Sequence, residues 1–419
     1  MTAGVAGDNQ LDEPATLTQR TGGYLTDPRC RRDPHGLLQE LREDEPVHRS
    51  ATGAWIISGY DLVMDAIRDE RLSRGEAGYE TAATLFEPGP AVELFRGRLV
   101  NSDGETHTRR RKLVNRSFTP RAVDRWRPLI QQTVDELIDV MEPCGSADLV
   151  SAFCYPVPER VICGLLGVPH TDHELFEEWT QVLNNRAIVG VDSAEQRRRG
   201  AKALIEFGGY VRSLIERRRD DPADDLVSRL IEAEASDDQM DETELVAMIV
   251  EMIGGGHDTT ANTIANGVLD LLAEPERYRR LVQDPGLIAD ATEEILRYRS
   301  PVQVSLSRLA VTDVTYAGVT MPAGSLVILT LAGSNRDPCA YARPDDFDLS
   351  RPAAENRHLS FGFGTHFCLG ASLARVEVQM ALSALTARLP GLRLDVAPSE
   401  LPYRDSALIT APAELPVSW

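Results

Sequence analysis

Apolar residues recur every three or four positions through most of the chain, which is the spacing of amphipathic helices. This pattern predicts helices over Pro34–Arg42, Tyr60–Asp69 and Pro285–Tyr298. The middle of the chain has the same spacing in four further segments: Leu113–Met141, Asp172–Asn185, Ala194–Arg219 and Asp225–Ala235. The sequence therefore predicts a mainly helical fold.

The longest periodic segment runs from Thr243 to Leu272, with Asp241 or Thr243 as its N-cap. Three consecutive glycines, 254–256, lie in the middle of this segment. Each glycine costs about 0.8–1 kcal/mol relative to alanine in a helix interior. A close helix crossing could explain them, but we expect a local opening of the helix where a ligand lies against the backbone.

Short strands complete the predicted fold. Two apolar segments, Val47–Ser50 and Trp55–Ile57, flank a Thr-Gly turn and predict a hairpin. Alternating residues between Val314 and Leu331 predict further strands, whereas Ser73–Asn101 is rich in glycine and proline and predicts a long irregular segment. Together these elements indicate a mainly α fold of the α+β class with small sheets.

The N-terminal residues 1–25 are polar with scattered glycine and proline, which predicts a disordered tail. No linker divides the rest, so residues 26–419 are predicted to form a single domain. The start of the chain lacks the features of a signal peptide. No apolar run approaches the roughly 20 residues that cross a bilayer. We therefore expect a cytoplasmic protein without a membrane contact.

Composition excludes some classes of partner. The formal net charge of −21 argues against nucleic acid, because binding to phosphates requires a basic surface. The six cysteines lack the spacing of a metal site and are predicted to be free thiols. They lie at positions 30, 144, 154, 163, 339 and 368.

One cysteine, Cys368, follows a glycine-rich segment with the sequence FGFGTHFCLG at positions 361–370. Gly362 and Gly364 allow positive φ angles and a close approach of the backbone to a flat ligand. A helix that begins near Cys368 would direct unpaired N–H groups at the sulfur and favour the metal-binding thiolate. For a lone cysteine, however, a buried residue in a tight turn is the better interpretation.

The spacing Phe-x-x-Gly-x-x-x-Cys-x-Gly resembles the haem-binding loop of the cytochrome P450 family. This resemblance, which extends from about residue 25 to the end, implies the P450 fold around a buried haem. It implies haem b whose iron is bound by the Cys368 thiolate. Phe361 would lie against the cofactor and keep water from the sulfur.

A second motif reads Gly-Gly-Gly-His-Asp-Thr-Thr at positions 254–260. It resembles the oxygen-activating motif of the P450 family, which implies that Asp258 is the acid and Thr259 the hydroxyl that deliver protons. Taken alone, Asp258, Thr259 and Thr260 would be better interpreted as ordinary residues of a helix surface.

The resemblance also implies four ligands of the haem propionates: His107, Arg111, Arg308 and His366. His107 and Arg111 are four residues apart, so they share one face of a helix. The alternative for the basic run at 109–112 is a solvated helix face.

Two further residue pairs complete the predicted site. Glu294 and Arg297 match a Glu-x-x-Arg pattern with a structural role in the family, and the segment 343–348 loosely matches its downstream part. Glu251, on the helix face of Gly255, occupies a position that is usually apolar in the family. We expect Glu251 and Gly255 to line the substrate pocket, with the Glu251 carboxylate paired either with a protein arginine or with a basic or hydroxylated substrate group.

These features imply a class-I-type bacterial monooxygenase that acts on a small molecule, a secondary metabolite. The chain has no flavin or iron–sulfur motif, so we expect electrons from a ferredoxin or flavodoxin and its NAD(P)H reductase, and a monomeric enzyme. The predicted docking surface is the basic helix with Arg109, Arg110, Lys112 and Arg116. Two alternatives are open: a non-hydroxylating outcome such as coupling, epoxidation or peroxygenase chemistry, and a degenerate relative without activity that binds haem or a carrier protein.

Overall fold

The computed structural model describes residues 15–184, 193–237, 240–352, 354–404, 406 and 409–419. Its N-terminal part alternates short helices and strands. The elements are α1 (Leu17–Thr26), α2 (His35–Glu43), β1 (Val47–Arg49), β2 (Trp55–Ile57), α3 (Tyr60–Arg68) and β3 (Leu72–Ser73).

Helix α1 contradicts part of the disordered tail predicted for residues 1–25. Residues 1–14 lie outside the described part of the chain, but Thr16 caps α1 in a capping box with Gln19. Tyr24 and Leu25 are buried, and the buried Arg31 donates a hydrogen bond to the Tyr24 carbonyl at 2.9 Å. Tertiary packing therefore stabilises a helix that the polar composition of the segment did not predict.

The middle of the chain is helical, and the short strand β4 (Ser146–Asp148) lies within it. Its helices are α4 (Arg74–Leu85), α5 (Pro90–Arg96), α6 (Gly104–Asn115), α7 (Pro120–Val123), α8 (Arg127–Met141), α9 (Pro156–Leu165), α10 (His173–Asn184), α11 (Ala194–Asp220), α12 (Leu226–Asp237), α13 (Glu242–Ala273), α14 (Pro275–Gln283) and α15 (Ile288–Tyr298).

Helices α4 and α5 occupy most of the segment Ser73–Asn101, so the prediction of irregular structure there is wrong. The Ser73 hydroxyl caps α4 by accepting a hydrogen bond from the Glu76 N–H, and Pro90 lies in the first turn of α5. Both are favourable helix starts. A single turn of 3₁₀-helix, Leu99–Asn101, follows α5.

The C-terminal part contributes most of the strands. It contains β5 (Arg308–Ala310), β6 (Val314–Tyr316), β7 (Val319–Met321), β8 (Leu326–Leu329), α16 (Leu331–Ser334), α17 (Ala371–Arg388), β9 (Arg393–Leu394) and β10 (Pro416–Ser418). The strands form three small sheets with the orders β1-β2-β8-β5-β3, β4-β10-β9 and β6-β7. The pairing of Val47 with Ile57 confirms the predicted β1–β2 hairpin, and the mainly α fold with small sheets is confirmed.

Helix α13 passes through the core and carries one wall of the site described below. Asp241 caps it in a capping box with Glu244, which confirms one of the two predicted N-caps. The helix continues without a break through the glycines at 254–256, so the predicted opening is wrong. At Gly267, by contrast, an added Cβ would lie 2.7 Å from Ile295 Cδ1 of α15, which explains that glycine by close helix packing.

No helix in the described part of the chain is long and apolar enough to cross a bilayer.

Candidate active site

A cavity of about 390 Å³ lies between α13 and the glycine-rich segment 361–370. Helix α13 contributes Gly255 and Thr259 to its wall, and the opposite side contains Phe361 and Cys368. The volume lies within the range of small-molecule pockets, about 300–1,000 Å³. The two motifs that are most specific in the sequence therefore face one space.

The glycine-rich segment adopts the conformation that its sequence predicts. Gly362 and Gly364 have φ angles of 68° and 70°, in the left-handed region that favours glycine. The Cys368 N–H donates a hydrogen bond to the Phe361 carbonyl at 2.9 Å and closes the loop. Helix α17 begins at Ala371, just after the cysteine.

Cys368 lies deep in the fold, and its exposed surface belongs to the cavity wall. Burial raises the pKa of the Cys368 thiol above its ordinary value. Hydrogen bonds from the N–H groups of Gly370 and Ala371 oppose this rise, as do the charges of Arg111 and Arg375. The helix start acts on the sulfur as predicted, but the predicted net lowering of the thiol pKa by the protein alone is wrong.

The four basic residues predicted at the haem edge all line this cavity: His107, Arg111, Arg308 and His366. The rings of His107 and His366 pack with their centroids 4.3 Å apart. His366 Nε2 lies 3.0 Å from Asp103 Oδ1. Burial lowers the pKa of His107 to about 4, and the charges of His366 and Arg111 add to this effect.

Two of these residues carry buried nitrogen atoms, His107 Nε2 and Arg308 Nε, that have no hydrogen-bond partner among the described residues. Leaving a buried polar group unpaired costs about 1–3 kcal/mol. Carboxylate groups at the edge of a flat ligand would supply the acceptors. The cavity thus fits a ligand with carboxylates at one edge and space beside a sulfur atom.

Arg74 is a fifth cation on the cavity wall, and the sequence analysis missed it. Its guanidinium donates hydrogen bonds to Asn101 Oδ1 at 3.2 Å and to the Ser307 carbonyl. Burial and the charge of Arg308 lower the pKa of Arg74 to about 10. No motif marks this arginine, and it begins a helix where an irregular segment was expected.

Comparison with known proteins decides the family. The family model of cytochrome P450 matches residues 53–285 and 286–390, well over half of the chain. This chain belongs to the cytochrome P450 family. The resemblance inferred from the Cys368 loop is therefore confirmed.

Relatives of this P450 align over nearly their whole length. The polyketide biosynthesis cytochrome P450 PksS of Bacillus subtilis is 36% identical over 396 residues, which cover 92% of this chain and 96% of PksS. The mycinamicin IV hydroxylase/epoxidase of Micromonospora griseorubida is 38% identical over 398 residues, with coverages of 92% and 97%. The chain is an oxidoreductase, a cytochrome P450 monooxygenase.

Solved structures confirm the P450 fold. P450BioI, in a complex with an acyl carrier protein ligated to hexadec-9Z-enoic acid, superposes with a TM-score of 0.85 at 32% identity. The match covers 92% of this chain and 98% of P450BioI.

The oxygen motif of this P450 presents two different faces of α13. Among the described residues, the cavity wall includes Thr259 but not Asp258. Thr259 Oγ1 donates a hydrogen bond to the Gly255 carbonyl at 2.8 Å. Asp258 is buried, with Oδ1 3.6 Å from His257 Nδ1. Neighbouring helix residues point about 100° apart, so the acid lies behind the hydroxyl rather than beside it.

Glu251 lines the cavity, but its carboxylate is bound to backbone. Its oxygens accept hydrogen bonds from the N–H groups of Leu99 at 2.6 Å and Val100 at 3.1 Å. Burial raises the pKa of Glu251, and the charge of Arg98 opposes the rise. The observed partner is therefore a 3₁₀ turn, which neither sequence-based alternative anticipated. An added Cβ at Gly255 meets no atom within 4 Å, so this residue leaves room in the cavity.

The predicted Glu-x-x-Arg pair forms a buried scaffold behind the Cys368 loop. Arg297 Nη2 and Glu294 Oε1 are 2.8 Å apart, and Arg297 donates to the carbonyls of Pro344 and Asp346. Arg351, which the sequence analysis missed, binds Glu294 with its Nε at 3.1 Å. The segment 343–348 thus supplies carbonyl acceptors, while the third charged partner comes from further along the chain.

The basic face of α6 is smaller than its sequence suggests. Arg109 and Arg110 both bind Glu244 of α13, at 2.6 and 2.7 Å, and Arg110 is only 8% exposed. Lys112 and Arg116 are exposed. Of the four predicted docking residues, Lys112 and Arg116 are therefore the two that are exposed.

Proposed function

We propose that this P450 is a haem-thiolate monooxygenase that oxidises a small organic secondary metabolite with O₂ and two electrons. Haem b, held by the thiolate of Cys368, supplies the iron chemistry that activates O₂ when it is bound. The observation that carries the proposal is the cavity shared by Cys368, Thr259 and a group of buried cations.

The cations are assigned to the two haem propionates. His107, Arg111, Arg308 and His366 would bind them, and Arg74 would add a fifth positive charge at the same edge. The Phe361 ring lies 6.3 Å from the Phe367 ring and beneath the Arg375 guanidinium. These contacts hold the ring in place, and we propose that it shields the Cys368 sulfur from water.

Protons are assigned to the α13 wall. Thr259 would hold and pass a proton at Oγ1, the only atom of its side chain that can do so. Asp258 would supply protons to Thr259 from the buried side of the helix, where it lies beside His257. The positioning role of Glu251 follows from its two backbone hydrogen bonds, which hold the Leu99–Asn101 turn against α13. A contact between Glu251 and substrate is a further element of the proposal.

Electrons would come from a ferredoxin or flavodoxin with an NAD(P)H reductase, docked near Lys112 and Arg116. Arg111, in the same region of the chain, lines the cavity and its charge acts on the pKa of the Cys368 thiol, which supports docking on this side of the protein. We also propose that the chain from α1 onwards acts as one domain in a cytoplasmic monomer.

The substrate class is inferred from the relatives. Two of them are named for polyketide biosynthesis and mycinamicin oxidation, which favours an antibiotic-type metabolite here. P450BioI was solved with a fatty acid ligated to an acyl carrier protein. A substrate that is bound to a carrier protein is therefore the second form that we consider. Candidate segments for substrate contact include residues 304–306 on the cavity wall. Residues 182–191 are a further candidate segment, of which 185–191 lie outside the described part of the chain.

The experiment is a panel of polyketide and macrolide metabolites tested by substrate-binding difference spectra, followed by product analysis with redox partners. We expect at least one compound to shift the spectrum and to gain one oxygen atom only when NAD(P)H and the partners are present. Glu251→Gln should weaken binding of that compound by about tenfold, since it loosens the turn beside the pocket. Oxidation by peroxide alone, or no oxidised product from any binding compound, would contradict the proposal.

Epoxidation is the second candidate outcome, because one relative is named a hydroxylase/epoxidase. A product that gains oxygen at a former double bond would identify it.

A further inference from the structure

A second cavity, of about 480 Å³, lies between α2, the end of α15 and the segment that follows α16. It shares no lining residue with the cavity beside Cys368. Four arginines line it: Arg32, Arg42, Arg299 and Arg336. This concentration stands out in a chain with a formal net charge of −21.

Arg336 is the most buried of the four, with 6% of its surface exposed. Its guanidinium lies 3.7 Å from the ring centroid of Tyr298 and donates to the Tyr298 carbonyl at 2.9 Å. Its Nε is buried and has no hydrogen-bond partner among the described residues. The fold thus fixes a cation in the cavity wall and leaves one of its donors unused.

The other arginines are held in place from the side or from behind. Arg42 Nη1 donates to the Gly333 carbonyl at 3.1 Å, and the Arg32 guanidinium lies 5.2 Å from the Tyr403 ring centroid. Arg299 Nη2 binds Asp270 Oδ1 at 2.7 Å. These contacts orient the guanidinium groups and leave further N–H donors on each.

Carboxylates offset this charge only in part. Asp33 and Asp345 also line the cavity, and both are exposed to solvent. Asp345 Oδ1 lies 3.5 Å from Arg336 Nη1. Exposed carboxylates are screened by solvent and contribute less to the local field than the more buried Arg42, Arg299 and Arg336.

His35 also lines this cavity, and its pKa responds to the arginine charges. Burial lowers the pKa of His35 to about 3, and the charges of Arg336, Arg299, Arg42 and Arg297 all act in the same direction. The imidazole is therefore neutral near pH 7. An anion in the cavity would offset the arginines and raise the pKa of His35.

We propose that this second cavity binds a small phosphate-bearing anion. Planar guanidinium groups pair with phosphate oxygens through two parallel hydrogen bonds, and Arg32, Arg42 and Arg336 offer such donors in the lining of this cavity. The volume suits a small-molecule ligand rather than a single ion. The site is separate from the haem cavity, so it would be a second ligand site of this P450.

The test is a titration of the holoenzyme with inorganic pyrophosphate, followed by NMR of labelled histidine at the His35 imidazole. We expect a saturable shift and a higher His35 pKa, neither of which sodium chloride of equal ionic strength reproduces. Arg32→Gln and Arg42→Gln should each weaken binding by about tenfold, because each removes charge-assisted hydrogen bonds. Arg198→Gln, at an arginine whose side chain is 72% exposed on α11, is the matched control and should leave binding unchanged.

ADP and citrate extend the test to the chemistry of the ligand. ADP binding that is at least as tight as that of pyrophosphate supports an organic phosphate as the occupant. The proposal is overturned if pyrophosphate gives no saturable shift, if Arg32→Gln and Arg42→Gln bind it as tightly as the control, or if citrate binds as well as either phosphate. Arg32 is exposed, so its variant keeps the test valid should Arg42→Gln fail to fold.

Discussion

Thr259 is the residue of α13 that we propose moves a proton into the cavity. Its hydroxyl donates to the Gly255 carbonyl one turn earlier, at 2.8 Å, and this bond fixes the oxygen at the cavity wall. Thr263 repeats the arrangement one turn later, with a hydrogen bond to the Thr259 carbonyl at 2.8 Å. Both threonines line the cavity. Substituting each of them in turn therefore distinguishes a catalytic role of the hydroxyl from a structural one.

Thr259→Ala should keep haem and substrate binding but divert NAD(P)H electrons to peroxide. We expect product formed per NAD(P)H consumed to fall by at least about tenfold, because a positioned general acid is lost. Thr263→Ala removes an equivalent hydrogen bond and should leave coupling unchanged. Equal coupling in both variants would mean that another group delivers the protons.

Residues within one local motif could be predicted from the sequence, while their long-range partners could not. Cys368, His107 and Arg111 were found through local motifs that resemble those of the family, and all three line the cavity as that resemblance implies. Arg74 could not be found in this way, because its place depends on contacts with segments far away in the sequence. The same is true of Glu251, since a backbone N–H partner leaves no trace in residue identity.

At the scale of elements, Gly255 and Gly267 of α13 serve different purposes. An added Cβ at Gly255 would point into open space, so this glycine enlarges the cavity. An added Cβ at Gly267 would collide with Ile295 of α15, so that glycine permits helix packing. The difference leads to opposite effects on stability.

Gly255→Ala should raise the free energy of unfolding by up to about 1 kcal/mol, because alanine favours a helix interior. Bulky substrates should bind this variant less well. Gly267→Ala should lower the free energy of unfolding by about 1–3 kcal/mol through overpacking. Denaturant unfolding measures both effects, and a destabilised Gly255→Ala would show that this position is packed rather than open.

The strongest helical patterns predicted elements well, and the weakest did not. The segment 243–272 is confirmed almost to the residue as Glu242–Ala273, because a long buried helix leaves a long periodic signal. The segment Leu113–Met141 is instead divided into the end of α6, α7 and α8, with prolines in the first turns of α7 and α8. Helices α4 and α5 escaped prediction because glycine and proline mask their short patterns.

For the molecule as a whole, charge determines where a redox partner can dock. The chain is strongly negative, and Glu244 neutralises part of the basic helix α6. Lys112 and Arg116 are the exposed basic residues of this region, and we propose that they attract an acidic electron carrier. Such attraction weakens as salt screens it.

Lys112→Glu and Arg116→Glu should each slow first-electron transfer from an acidic ferredoxin several-fold and reduce its dependence on salt. Stopped-flow reduction of the substrate-bound enzyme at several ionic strengths measures this. Lys202→Glu, on the exposed face of α11, makes the same charge change and should have little effect. If all three variants had the same effect on first-electron transfer, the electron carrier would dock elsewhere on the protein.

Stability of the whole molecule should depend on pH through Glu377 of α17. This residue is buried with Oε2 unpaired among the described residues, and burial raises its pKa from 4.5 to about 8. The folded state therefore keeps a proton that the unfolded state releases above pH 4.5. The stability that this group contributes is lost as pH rises from about 4.5 through 8, by a total on the order of 5 kcal/mol.

Glu377→Gln should remove this loss, so its stability relative to the wild type should increase between about pH 5 and about pH 8. Unfolding midpoints at several pH values measure the difference. Glu355→Gln, at an exposed position, is the control and should follow the wild type. Parallel pH profiles for wild type and Glu377→Gln would mean that the Glu377 carboxyl finds a partner or water when folded.

The central claim, that the Cys368 thiolate binds haem iron, is tested most directly by the spectrum of the reduced, carbon-monoxide-bound protein. We predict the red-shifted Soret band of thiolate ligation in the wild type and in Cys339→Ser, which changes an exposed cysteine outside the cavity. Cys368→Ser should lose that band. A Cys368→Ser protein that keeps the red-shifted band would contradict the claim and place the iron ligand at another cysteine.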